Sequence, residues 1–234
     1  MSNVGDVIRY VGGNYTAEYR DVEKALAAVK PLLPVADYLH LKRCYEVGNP
    51  NKLVAEVSRD NSILYLQKGN HPNMAQNPEI VQETMNKEET NCHVLPLPAW
   101  LMRFLPGAHH VPQALVLKPG KDPHLVWDGT KKHLWNSTPM NDLTSAEDEP
   151  PITFGKVKFA HLIRIWNLRI TYTDEDIILC ETDFKACFRN PNMHPDTAGA
   201  FGFIIDQLMY IPTGMVFGSN TEVPAGNHFA VLLP

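Results

Sequence analysis

Asp183 follows an apolar, strand-like run, Ile177-Ile178-Leu179-Cys180, and Phe188 and Arg189 come close behind it. A carboxylate delivered at the end of a buried strand is costly unless it is paired or bound to a metal. That cost makes the position read as a site, although the same side chain could simply cap a turn ahead of Lys185. Cations lie upstream. Lys118, Lys121 and His124 surround the turn Pro119-Gly120, where they would neutralise an anionic ligand or form a solvated hairpin tip. Downstream come Met193-His194-Pro195-Asp196 and then Ile211-Pro212-Thr213-Gly214-Met215-Val216-Phe217-Gly218. Gly214 allows close approach of a ligand, a positive φ or an ordinary loop. Arg189 can meet a phosphate or Asp196. His109, His110, His124 and His133 do not fall into a metal-binding spacing such as His-Glu-x-x-His. The chain has no P-loop, Gly-x-Ser-x-Gly or Gly-x-Gly-x-x-Gly motif.

The elements that must hold these residues follow from periodicity and turn chemistry. Residues 14–30 predict a capped amphipathic helix with Val22, Leu26 and Val29 on one face, ended by Pro31 and Pro34. Further helices are expected over 38–46, 51–58 and 78–87, an apolar strand over 62–67 and a loop over 71–77. Glu88-Glu89-Thr90-Asn91 then leads into Val94-Leu95-Pro96-Leu97-Pro98. Residues 113–118 and 124–128 read as strands joined by a Pro-Gly turn. Residues 131–151 read as a long polar connection. A helix is expected over 154–166 with Val157, Leu162, Ile165 and Trp166 inward and Lys156, Lys158, Arg164 and Arg169 on its edges. A strand should run over 177–183, and 203–211 should form a hairpin around Asp206-Gln207. Strand–helix–strand order with a hairpin predicts an α+β fold.

Bulk composition is that of an ordinary globular protein: 44% hydrophobic and 20% charged residues in a 234-residue chain, room for a domain and a half. The net charge of −5 does not mark a nucleic-acid binder, but a basic cleft can hide in an acidic total. Cys44, Cys92, Cys180 and Cys187 form no Cys-x-x-Cys pair and read as reduced thiols. No apolar run approaches the ~18 residues of a membrane span, and the first residues lack a signal-peptide pattern. The expected location is intracellular, cytoplasmic or nuclear, with no membrane partner.

The order of these pieces resembles the palm of retroelement (retrotransposon) reverse transcriptases. There an Asp-h-Lys-x-x-Phe/Tyr-Arg segment precedes h-x-His-Pro-Asp, a hairpin, and h-Pro-x-Gly-h-x-x-Gly/Ser. Asp183 and His194 stand eleven positions apart, as in that family. Val116-Leu117-Lys118-Pro119-Gly120-Lys121 and Leu125-Val126-Trp127-Asp128-Gly129 resemble the fingers hairpin, and Asn141-Asp142 the pair that follows it. The resemblance spans residues 91–229 and is to a divergent group rather than to the retroviral enzymes. It implies a helical leader and linker region over 1–90, with the lead into Val94–Pro98 resembling the family's linker, and fingers with a partial, truncated palm over 91–234. The implied activity is RNA-directed DNA polymerisation by two-metal nucleotidyl transfer on an RNA or DNA template-primer with deoxynucleotides. Asp183 would bind both Mg2+ ions as the catalytic carboxylate, with the Phe184 carbonyl beside it. Phe188 would exclude a 2′-hydroxyl, Thr213 and Gly214 would contact the nucleotide, and Lys118, Lys121 and His124 would meet the triphosphate. His124 stands where the family usually has Arg, and imidazole cannot form the guanidinium fork.

The family's second carboxylate pair, on an Asp-Asp hairpin, has no counterpart before Pro234, so one of three metal-binding carboxylates is present. Two Mg2+ ions roughly 4 Å apart repel and need more anionic ligands than Asp183 supplies. These residues alone are therefore expected to lack polymerase activity. Two alternatives stand beside this reading. One is a non-catalytic nucleic-acid-binding module using Lys118, Lys121, Lys131 and Lys132 with Trp127 and Trp135. The other is a non-functional retroelement relic with an unpaired sheet edge.

Overall fold

The structure, a computed structural model, describes residues 26–27, 30–49, 52–132, 137–145, 154–178 and 192–216. Its α-helices are Val35–Glu46 (α1), Arg59–Lys68 (α2), Pro72–Gln76 (α3), Pro78–Thr90 (α4), Phe154–Thr171 (α5) and Pro195–Ala198 (α6). Its strands are Lys52–Leu53 (β1), Val94–Pro98 (β2), Gln113–Val116 (β3), His124–Trp127 (β4), Thr144–Ser145 (β5), Phe203–Ile205 (β6) and Leu208–Pro212 (β7). These strands pair antiparallel, in a β1-β5 pair, a β3-β4 hairpin and a three-stranded sheet of order β2-β7-β6, and an isolated parallel bridge joins Asn49 to Met193. This is an α+β arrangement.

Several expectations are corrected here. Residues 62–67 are helix, not strand. Ser58 caps α2 by accepting from the Asn61 amide at 3.1 Å, and Gly69 ends it at φ 66°. The buried Asn61 side chain also exchanges two 2.9 Å hydrogen bonds with the Thr138 backbone, which fixes that face inward. The helix expected over 51–58 is replaced by β1 and a turn. The loop expected over 71–77 contains α3, because Pro72 at the first helical position needs no hydrogen-bond partner for its nitrogen. The polar connection after Lys131 carries the buried apolar side chains of Met140 and Leu143, and β5.

The linker reading of Val94–Pro98 is also overturned. Pro96 and Pro98 have no N–H to give, yet β2 is an edge strand that needs to bond on one side only. It runs in register with β7, from Val94 opposite Pro212 to Pro98 opposite Leu208. The 203–211 hairpin forms as the turn residues predict, and Asp206 takes a left-handed φ of 53°, which a short polar side chain tolerates.

One core cluster joins Met74, Val81 and Met85 of the helical region to Val94, Trp127, Phe201, Met209 and Ile211. The later helices before residue 90 thus pack into the same core as the hairpin and sheet. A smaller cluster of Leu26, Tyr38 and Leu41 sits under α1. Helix α5 departs from its expected packing. Leu162 is 53% exposed and Trp166 67% exposed, with Phe159, Ile163 and Ile170 exposed too, so Leu162 and Trp166 do not face inward. Val157 lies among the residues whose side chains are not described. Residues 177–178 are not strand, and Ile178 is exposed; the rest of the strand expected over 177–183 lies outside the described residues. Among the described residues no helix is long and apolar enough to cross a membrane.

Candidate nucleotide-binding site

The hairpin that carries the basic residues is built by its own turn. Gly120 takes φ 72° with open space around it, and the Lys121 amide donates to the Lys118 carbonyl at 3.2 Å. Lys118, Lys121 and His124 are all exposed around this tip. The strands alternate, so Leu115, Leu125 and Trp127 turn into the core.

The foot of the hairpin is anchored by polar side chains of Asn70 and of Asn73 in α3. The Asn70 oxygen accepts from the Gln113 amide at 2.9 Å while its nitrogen donates to the Ile204 carbonyl at 2.7 Å. Asn73 donates to the Leu115 carbonyl at 2.6 Å. These amides bond to backbone groups of β3, and through Asn70 β3 is tied to β6. At the other foot, Asp128 meets His71 Nε2 at 2.9 Å and accepts from the Thr130 hydroxyl at 2.8 Å. Burial pushes the Asp128 carboxyl upward. Hydrogen bonds from Thr130 and His71 and the imidazole's charge outweigh it, so its pKa ends below the ordinary carboxylate value. Nothing in the sequence singled out Asn70, Asn73 or His71, because each acts on a backbone or side chain about 40 or more positions away.

Trp127 fastens the hairpin to the segment after His194-Pro195-Asp196. Its ring stacks on Phe201 with centroids 5.2 Å apart, and its Nε1 donates to the Phe201 carbonyl at 3.1 Å. At 3% exposure it offers no face to a nucleic-acid base, which corrects its assignment as a stacking platform. Lys132 lies 3.6 Å from Asp142, and Trp135 is outside the described residues.

His109 and His110 are buried beside this junction. Ser62 Oγ lies 3.0 Å from His109 Nδ1, and His110 Nδ1 accepts from the Ile204 amide at 3.0 Å. Burial, reinforced by the neighbouring His110, pushes the His109 pKa down to about 3, so it is neutral at physiological pH. Among the described residues no group of three or more His, Cys, Asp or Glu could hold a metal ion.

Thr213 and Gly214 continue β7 into the interior. The Thr213 hydroxyl donates to the Cys92 carbonyl at 2.5 Å, and its amide donates to the His93 carbonyl at 3.0 Å. The hydroxyl is thus committed to the backbone of residue 92, and Thr213 is 5% exposed. Gly214 is not among the positive-φ glycines. Asn192 bridges Gly214 on the antiparallel side, and the Met193 amide donates to the Thr213 carbonyl at 2.8 Å. The chain leaving the Asp183 region therefore runs directly against Thr213-Gly214. It is held on its other side by Asn49, whose amide donates to the Asn192 carbonyl at 2.7 Å and whose carbonyl accepts from the His194 amide at 3.2 Å.

Asp183, Phe184, Phe188 and Arg189 lie outside the described residues. The structure thus brings the hairpin foot, the His194 helix and Thr213-Gly214 into one core while the lysine tip stays in solvent. Comparison with family models, with curated proteins and with solved structures gives no match for this chain.

Proposed function

We propose that this chain is a retroelement reverse-transcriptase-like protein, with fingers and a partial palm of the RNA-directed DNA polymerase type. The observation that supports the reading is the meeting of three distant motifs. The Lys-bearing hairpin is locked through Trp127 to Phe201, just past His194-Pro195-Asp196, and the exit from the Asp183 region lies on Thr213-Gly214. A nucleotide site needs cations from one element and a carboxylate from another, and the core joins the foot of the lysine hairpin to Met193, Phe201 and Met215.

In this reading Lys118 and Lys121 meet the triphosphate or the strand backbone as mobile point charges, with His124 a weaker neighbour. Phe188 would limit the sugar to deoxyribose. Asp183 is a hard oxygen ligand of the kind Mg2+ takes alongside water and phosphate. Bound Mg2+ would supply charge neutralisation at the phosphates. One carboxylate does not balance two such ions, so binding is expected from these 234 residues and turnover is not.

The test is a binding titration with an RNA–DNA template-primer and a deoxynucleoside triphosphate. Lys118→Ala/Lys121→Ala should lower the slope of log affinity against log salt by about 1–2. Mg2+-dependent triphosphate binding should be lost in Asp183→Asn. Primer extension by the 234-residue polypeptide should stay at background. Triphosphate binding that is indifferent to both changes, or template-dependent extension that is lost in Asp183→Ala, would overturn respectively the site and its predicted inactivity.

A further inference from the structure

A second surface carries chemistry that the polymerase reading does not use. A cleft of about 360 Å3 opens between α2 and the 3-10 helix Ala99–Phe104. One wall is the α2 face Arg59, Ser62, Ile63 and Leu66, spaced i, i+3, i+4, i+7. The other wall holds Trp100, Arg103 and Phe104. None of its lining residues belongs to β3 or β4, and none is acidic.

Four large apolar side chains are exposed here together: Ile63, Leu66, Trp100 at 57% and Phe104 at 65%. Each wall brings one guanidinium. The Trp100 and Phe104 rings meet edge to face at 6.1 Å, and both residues stay more than half exposed. Arg103 sits 5.7 Å over the Phe104 ring and donates to the Trp100 carbonyl at 3.2 Å, so the three side chains hold one arrangement. Ser62 is backed by His109. With the ring proton on Nδ1, the imidazole donates to Ser62 and the hydroxyl hydrogen is left for a ligand.

We propose that this cleft binds single-stranded nucleic acid, with bases stacked on Trp100 and Phe104 and flanking phosphates on Arg59 and Arg103. Flat exposed rings with guanidiniums and no carboxylate in the lining form a stacking platform within a cationic groove. In a chain of net charge −5, such a carboxylate-free lining with two guanidiniums selects a polyanion. The exposed aromatic rings suit planar bases better than the aliphatic anchors of an acidic helix. The site rests on its own residues and not on Asp183 or the lysine hairpin.

The experiment is fluorescence anisotropy of a labelled twelve-nucleotide oligo(dT) titrated with the full chain at several salt concentrations. Trp100→Ala and Phe104→Ala should each weaken binding about 5-fold or more. Arg59→Gln/Arg103→Gln should lower the log–log salt slope by about 1.4, the contribution of two single-strand phosphates. Both arginines are exposed, so this pair keeps the test open if an aromatic variant fails to fold by circular dichroism. A Trp100-dependent contact that survives Lys118→Ala/Lys121→Ala establishes the cleft whatever becomes of the polymerase reading. The proposal is overturned if oligo(dT) does not bind or if well-folded Trp100→Ala and Arg59→Gln/Arg103→Gln bind as before. It is equally overturned if polyglutamate displaces the probe as well as unlabelled oligo(dT) does, which would mark an acidic-peptide surface.

Discussion

Gly48→Ala should be far more damaging than Gly69→Ala, although both glycines end helices with a positive φ. Gly48 sits at φ 102°, and a Cβ added there would lie 2.6 Å from Met193 C, Met193 O and His194 N. Those three atoms are backbone and cannot swing aside. Gly69, at φ 66°, has nothing within 4 Å of the same position. An L-residue at either backbone costs about 1–3 kcal/mol, because Gly69 at ψ −158° and Gly48 at φ 102° both lie where L side chains rarely go. Relief of the Gly48 clash requires the 192–194 segment to move off residues 48–49. That movement breaks the 2.7 Å Asn49–Asn192 and 3.2 Å His194–Asn49 backbone hydrogen bonds, about 1 kcal/mol each. The expected loss is about 3–5 kcal/mol for Gly48→Ala against about 1–3 kcal/mol for Gly69→Ala. Any stabilisation from a stiffer unfolded chain is shared and drops out of the difference. Urea denaturation gives both values, and amide exchange should show the Asn49 and His194 N–H groups exposed only in Gly48→Ala. Equal destabilisation of the two variants would refute the close approach. With it would go the claim that the Gly48-Asn49 segment holds residues 192–194 in place.

Two further outcomes follow from the junction behind the hairpin. The unfolded chain binds a proton at His109 near pH 6.5, whereas the folded protein resists it until about pH 3. The unfolded state therefore holds more protons between those values, and unfolding free energy should fall on acidification across that window by up to about 1.4 kcal/mol per pH unit. His109→Gln should flatten this part of the pH profile in denaturant titrations; an unchanged slope would mean the imidazole is not buried neutral. Trp127→Ala should cost about 3–5 kcal/mol through the cavity left against Phe201. Trp127→Phe, which keeps a ring but frees the Phe201 carbonyl, should cost about 1–2 kcal/mol. Thermal melts of the pair read that ordering, and a reversal would show that the indole is not where the hairpin is fastened.

The sequence alone determined the features whose causes lie within a few residues. The Pro119-Gly120 turn forces β3 and β4 together, Asp206-Gln207 does the same for β6 and β7, and periodicity placed α1, α4 and α5 within a few residues of their ends. Where a local cue was misread, as over 62–67, Ser58 and Gly69 were the signals that periodicity outweighed. Only the tertiary structure decided what covers what. β2 finds β7 more than a hundred positions away, and its prolines hid it because a missing N–H looks the same in a linker and in an edge strand. A helical stripe such as that of α5 states that one face is apolar without stating that anything packs on it. Trp127 and Thr213 read as ligand contacts until the core claimed the indole and the Cys92 carbonyl claimed the hydroxyl. Burial and long-range hydrogen bonding are properties of the packed chain, set by partners that no short window of residues contains.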